Sequence, residues 1–114
     1  MPHFTRHRDR YCISYITGPS HVWLGVKFGE PRARPTFIRQ PAVGECYHGR
    51  LDPMRIFDAV RTALGGVKES SGSELHVTEI AFVENDSPRY DLYGLCAELI
   101  AQRMLSGEPF GDER

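Results

Sequence analysis

Two stretches of alternating hydrophobic and polar positions open the chain's recognisable structure. Tyr11-Cys12-Ile13-Ser14-Tyr15-Ile16 is β-branched and aromatic, as strands are. From His21 to Gly29 the alternation is strict, with Val22, Leu24, Val26 and Phe28 on one side and Trp23, Gly25 and Lys27 on the other. Gly18-Pro19-Ser20 separates the two runs as a turn, so an antiparallel hairpin is expected. Glu30-Pro31-Arg32-Ala33-Arg34-Pro35 holds two prolines that cannot donate to a ladder and reads as a loop. Thr36 to Gln40 is a short third strand that Pro41 interrupts, and residues 43–50 fit either a loop or one more short strand.

Helical spacing begins at Asp52-Pro53. The Asp side chain can accept from first-turn amides, and proline at the first helical position gives up a hydrogen bond that would not form anyway. Ile56, Phe57, Val60 and Leu64 make one stripe, and Gly65-Gly66 is expected to end this helix near Leu64, with a polar linker from Lys68 to Ser73. The strand from Glu74 to about Glu84 carries Leu75, Val77, Ala81 and Val83 on one face. Ile80 and Phe82 lie on the other, with His76 and Thr78, a two-sided pattern that suits a central strand. Asn85-Asp86-Ser87-Pro88 repeats the helix-start signal, with Ser87 or Asp86 as the expected cap. Leu92, Leu95, Cys96, Leu99, Ile100 and Met104 carry the second helix to about Leu105, before Gly107 and Pro109 stop it.

The resulting order, β-β-β-α-β-α, implies an α+β fold: a two-layer sandwich in which a mostly antiparallel sheet of three to four strands receives two helices on one face. The face bearing Val22, Leu24, Val26 and Phe28 should be the covered one. If the third and last strands are parallel neighbours, the crossover between them should be right-handed. Residues 1–10, with His3, Arg6, His7, Arg8 and Arg10 around a lone Phe4, read as a flexible basic arm; residues 11–106 form the single domain, and 107–114 read as a frayed tail.

Composition narrows the function classes. A length of 114 residues predicts one domain, and folding should remove about two-thirds of the extended chain's surface from water. No apolar run approaches the roughly 18 residues of a membrane span, and the first residues lack the apolar stretch of a signal peptide, so a cytoplasmic protein is expected. Cys12, Cys46 and Cys96 are widely spaced with no C-x-x-C pair, and read as reduced thiols without a disulfide framework or a zinc site. No cofactor is implied. Lys plus Arg number 14 against 15 Asp plus Glu, which removes the long-range attraction a general nucleic-acid binder would use.

Candidate chemistry is sparse. Glu45-Cys46-Tyr47-His48 is the densest reactive run, and Cys46 with His48 could form a nucleophile and its base; a structural cysteine beside a turn histidine is the plainer reading. His3 and His7 would suit a metal only if that stretch were helical, and a third ligand is missing. Asn85 to Tyr90 could hold an anion at the second helix's N-terminus, but Asp86 and Ser87 are expected to occupy those amides as caps. Glu79 and Glu84 could work as acid and base with His76 or Asp86, although parity sets Glu79 and His76 on opposite faces. Arg32, Arg34, Arg39 and Arg50, interleaved with Trp23, Phe37 and Tyr47, could form a surface for single-stranded nucleic acid.

The leading expectation is a small binding or assembly module rather than an enzyme. With both helices on one side, the other sheet face should keep Trp23, Lys27 and apolar groups of the last strand uncovered, and such a patch marks an interface. Trp23, Lys27, Arg32, Arg34, Tyr47 and His76 are the expected contact residues, a homodimer the expected assembly, and a protein the expected partner, with nucleic acid disfavoured. The alternative is a small enzyme or ligand-binding protein, with a pocket between Glu45–His48 and the start of the second helix.

Overall fold

One six-stranded sheet and two helices make up the fold, seen in a computed structural model that describes residues 2–17, 20–40, 51–83 and 86–112. In chain order these are β1 (His3–His7), β2 (Arg10–Thr17), β3 (Ser20–Phe28), β4 (Thr36–Gln40), α1 (Pro53–Ser71), β5 (Val77–Val83), α2 (Tyr90–Ser106) and β6 (Gly111–Asp112). Across the sheet the order is β4-β5-β3-β2-β1-β6. The β1–β2, β2–β3 and β3–β5 pairs are antiparallel; β4–β5 and β1–β6 are parallel. The α+β sandwich and its mostly antiparallel sheet are as the periodicity implied, and β4 and β5, which α1 separates in the chain, are parallel neighbours.

Strand alternation sets which face each residue serves. Val22, Leu24 and Val26 of β3 stand beside Tyr15, Ile13 and Tyr11 of β2, and Leu24 and Val26 beside Phe82 and Ile80 of β5. This face forms one core with Ile56, Phe57, Val60, Leu64 and Val67 of α1 and Leu92, Tyr93, Cys96, Ala97 and Ile100 of α2. Ile13, Leu24, Ile80 and Phe82 are all fully buried there. A bulge modifies the parity expected for β5: Lys27 pairs with Glu79 but Phe28 with Val77, leaving Thr78 as the extra residue. Val77 thereby joins the helix-side core while Ala81 and Val83 stay on the second face.

The sheet is wider than the three to four strands expected, and the reason lies at the two ends of the chain. His3–His7 is a strand paired with β2 rather than a flexible arm, joined to it by a tight two-residue turn in which Arg8 takes a left-handed φ of 57°. Phe4 is not alone. Phe110 from the expected tail meets it edge-on at 5.8 Å between ring centroids and meets Tyr11 at 5.0 Å. The Arg103 guanidinium lies 4.5 Å from the Phe4 ring centre while its Nε donates to the Pro109 carbonyl at 2.9 Å. This aromatic pair, brought together from the two ends of the chain, anchors β1 and lets Gly111–Asp112 add to its edge.

Helix α1 also outruns its expected end. It passes through Gly65-Gly66 and stops at Gly72, whose φ of 79° supplies the left-handed residue and whose N–H bonds the Lys68 carbonyl. Val67 lies three residues beyond Leu64 on the same stripe and is buried, so its packing outweighs about 1 kcal/mol of helix propensity lost at each exposed glycine. The start is as expected: the Asp52 side chain accepts from the Met54 N–H at 3.0 Å, with Pro53 in the first turn. Helix α2 ends at Gly107, φ 77°.

Candidate functional site

The face turned away from the helices is built in rows. Cys12 of β2, Gly25 of β3, Ala81 of β5 and Ile38 of β4 stand side by side across its middle. Small residues here leave a trough, and neighbouring side chains fill it. A Cβ placed on Gly25 would meet Arg10 Cδ at 2.9 Å and the Trp23 ring at 3.2 Å. Cys12 and Ala81 in this row are fully buried, although no helix lies on this side among the described residues. The next row is charged: Arg10 reaches Glu79 at 2.9 Å, and Lys27 reaches Glu79 at 3.5 Å and Asp9 at 3.4 Å. Two cations thus face two carboxylates.

Toward the β2–β3 hairpin end the same face turns apolar and aromatic. Ser14 pairs with Trp23 and Ile16 with His21, which puts Ile16, His21 and Trp23 together on one surface. Ile16 is 60% exposed, more than any other large hydrophobic among the described residues. The expectation of an extensive apolar surplus on this face is therefore corrected: its middle holds small buried residues and ion pairs, and among the described residues its most exposed large hydrophobic, Ile16, lies at the hairpin end.

That end is held by the residues just past β5. Asp86, 4% exposed, accepts the Trp23 backbone N–H through Oδ2 at 2.6 Å and contacts His21 Nδ1 through Oδ1 at 2.9 Å. An ionised carboxylate can only accept, so Nδ1 carries the proton. Ser87 adds two bonds to the strand end: its Oγ accepts from the His21 N–H at 3.0 Å and its own N–H donates to the His21 carbonyl at 3.1 Å. The expectation that Asp86 or Ser87 caps the second helix is thus overturned. Arg89 holds the cap position without a side-chain cap bond, and its guanidinium pairs with Asp91 at 2.9 Å. That pairing holds the Asp91 carboxyl below its ordinary range.

Beneath this staple lie two more polar groups. Burial, and then the nearby Asp86 charge, push the Cys96 thiol up to about 12, so it is protonated at neutral pH and is no nucleophile. The same two causes raise the Tyr93 phenol. Tyr93 is fully buried and its hydroxyl has no hydrogen-bond partner among the described residues. Because that hydroxyl bears the desolvation penalty without a compensating bond, Tyr93→Phe is expected to stabilise the fold by about 1 kcal/mol. Urea midpoints of the two proteins would show it, and a destabilised variant would contradict it.

The remaining sequence candidates scatter. Glu45, Cys46, Tyr47 and His48 lie outside the described residues, as does Arg50. Trp23 and Lys27 are on the second face, but Arg32 and His76 are on the helix side, where they line a groove with Phe57, Arg61, Leu64, Lys68 and Val77. Arg34 turns to Met54 Sδ at 3.4 Å. Arg39 and Phe37 also face the helices, with the Arg39 guanidinium 5.1 Å from the Phe82 ring centre, so Trp23, Phe37 and these arginines share no common nucleic-acid surface. His3 and His7 sit on a strand about 13 Å apart rather than on a helical turn. Glu79 is engaged by Arg10 and Lys27, and His76 contacts Glu74 at 3.3 Å.

Among the described residues no three His, Cys, Asp or Glu side chains come together as metal ligands, and no helix is long and apolar enough to cross a membrane. Comparison with known proteins gives no match to a protein-family model, a curated protein or a solved structure. The reading of function rests on the chain's own geometry.

Proposed function

We propose that this chain is a small cytoplasmic assembly module that pairs with a second copy of itself through the second sheet face, centred on Ile16, His21 and Trp23. The observation that carries the reading is the exposure of Ile16 beside Trp23 at the hydrogen-bonded end of a face on which no helix packs among the described residues. Tryptophan is among the residue types enriched at the energetic centre of interfaces. Its backbone is pre-ordered by Asp86, which reduces the entropy lost on docking. The neighbouring row supports a two-fold partner. Arg10 and Lys27 are balanced by Glu79 and Asp9, so this row offers a second copy no excess of either sign to repel it.

Sedimentation equilibrium tests the proposal. Wild type is expected to dimerise at concentrations of about 10–100 μM, and Ile16→Asp and Trp23→Ala are expected to weaken the dimer at least tenfold with unchanged circular dichroism. Ile16 is solvent-facing, so its substitution leaves the core intact. Wild type that stays monomeric up to about 1 mM, where even a contact worth ~4 kcal/mol would be populated, removes the reading.

A further inference from the structure

The groove on the helix side is a separate feature, and the residues around it divide cleanly by chemistry. Phe57, Leu64, Leu75 and Val77 supply an apolar floor, and Arg32, Arg61, Lys68, His76 and Glu74 supply the rim of a cavity of about 200 Å³. Phe57, Arg61, Leu64 and Lys68 fall at i, i+4, i+7 and i+11 of α1, so one helix face presents floor and rim together. The opposite wall is the segment from Glu74 into β5, whose bulge turns Val77 to this side. Three permanent cations and a histidine therefore surround one carboxylate.

The ion pairs within the rim decide what charge is left to offer. Glu74 Oε1 lies 3.3 Å from both Lys68 Nζ and His76 Nε2. Arg61 is paired with Asp58 at 2.9 Å and its guanidinium stands 5.2 Å from the Phe57 ring centre. Arg32 alone among the lining cations has no carboxylate within 4.0 Å among the described residues. One uncompensated guanidinium beside an apolar floor calls for a single negative charge, and Glu74 on the rim opposes a second. Arginine's planar fork suits a carboxylate in particular.

Gly65 adds an independent argument. It lines the groove in the interior of α1, where glycine is unfavourable, and a Cβ built on it would meet nothing within 4 Å. Packing gives no reason for a missing side chain here, and its absence leaves the groove mouth unobstructed. The volume is below the ~300–1,000 Å³ of drug-sized pockets, which restricts the occupant to a small molecule.

We infer that this groove is a binding site for a small hydrophobic monocarboxylate, such as an aryl-alkanoate, with its apolar body over Phe57, Leu64, Leu75 and Val77 and its carboxylate on Arg32. The site lies on the opposite side of the sheet from Trp23, so it stands or falls separately from self-association.

Amide chemical-shift titration of the full chain with 3-phenylpropanoate tests the inference, with 3-phenylpropanamide and inorganic phosphate as controls. Saturable shifts are expected at Gly65, Leu75, His76 and Val77. The amide, which lacks the charge, and phosphate, which lacks the apolar body, should each bind at least tenfold more weakly. Arg32→Ala is expected to weaken the acid at least tenfold. Gly65→Leu, which fills open space and improves helix propensity, should abolish binding while its thermal midpoint does not fall. Trp23→Ala should bind as wild type does. Equal binding of acid and amide, wild-type affinity in Gly65→Leu, or no saturable shift up to about 10 mM would each overturn the inference.

Discussion

Replacing Asp86 with alanine is expected to destabilise the protein by about 3 kcal/mol, on the order of 10–20 °C in thermal midpoint. The carboxylate uses both oxygens: one holds the Trp23 N–H at 2.6 Å, the other His21 Nδ1 at 2.9 Å. Hydrogen bonds to a charged acceptor are worth about 1.5–3 kcal/mol each, and the alanine variant also leaves a strand-end amide without its acceptor. Asp86→Asn keeps the volume and one carbonyl oxygen and should lose about half as much. Urea denaturation with unchanged m-values would measure both variants. If Asp86→Ala lies within about 1 kcal/mol of wild type, the staple is not what holds the β3 end to the start of α2. The variant also bears on the proposed self-association: without this staple the Ile16–His21–Trp23 surface loses its pre-ordering, so the proposal expects any dimer to weaken along with stability.

The second large effect is expected where the helices touch. Gly94 is buried on α2, and a Cβ built there would stand 3.2 Å from the Ala59 carbonyl oxygen and 3.8 Å from the Ala59 Cβ. The close neighbour is backbone of α1, which cannot swing aside as a flexible side chain can. Gly94→Leu must push the two helices apart, loosening Val60 and Leu64 against Cys96 and Ala97, and is expected to cost about 3 kcal/mol or prevent folding. Gly94→Ala sets a smaller clash against a gain of up to ~1 kcal/mol in helix propensity and should change stability little. Gly65, also glycine within a helix but facing open space, provides the contrast: its replacement by leucine should not destabilise. Calorimetric midpoints of the three variants would check the order, and a tolerated Gly94→Leu would show that the helix contact is looser than described.

These positions mark how far the chain's pattern could be read without coordinates. Alternation with period two in residues 21–29, and helical spacing after Asp52 and Pro88, are local signals, and they specified the class, the β2–β3 hairpin, β4, both helices and the covered face. The element ends were less legible, because each depends on a distant partner. Phe4 is an isolated apolar residue until Phe110 meets it, and Gly65-Gly66 stops a helix only if nothing beyond it has a core to reach, which Val67 does.

The candidate site shows the same division more sharply. Asp86 and Ser87 were visible as helix caps, the best local use of those side chains, yet the fold brings β3 within reach and the strand-end bonds win. The sequence marks Arg32, in the Pro/Arg-rich loop, and His76, on the last strand, as contact residues, but the groove that unites them with α1 exists only after the bulge at Thr78 redirects Val77. Sequence alone determined which residues repeat at strand or helix spacing, since that requires neighbours a few positions away. Tertiary structure alone decided which polar groups meet across 50 or more residues, because hydrogen bonds and ion pairs act over a few ångströms and carry no periodic trace along the chain.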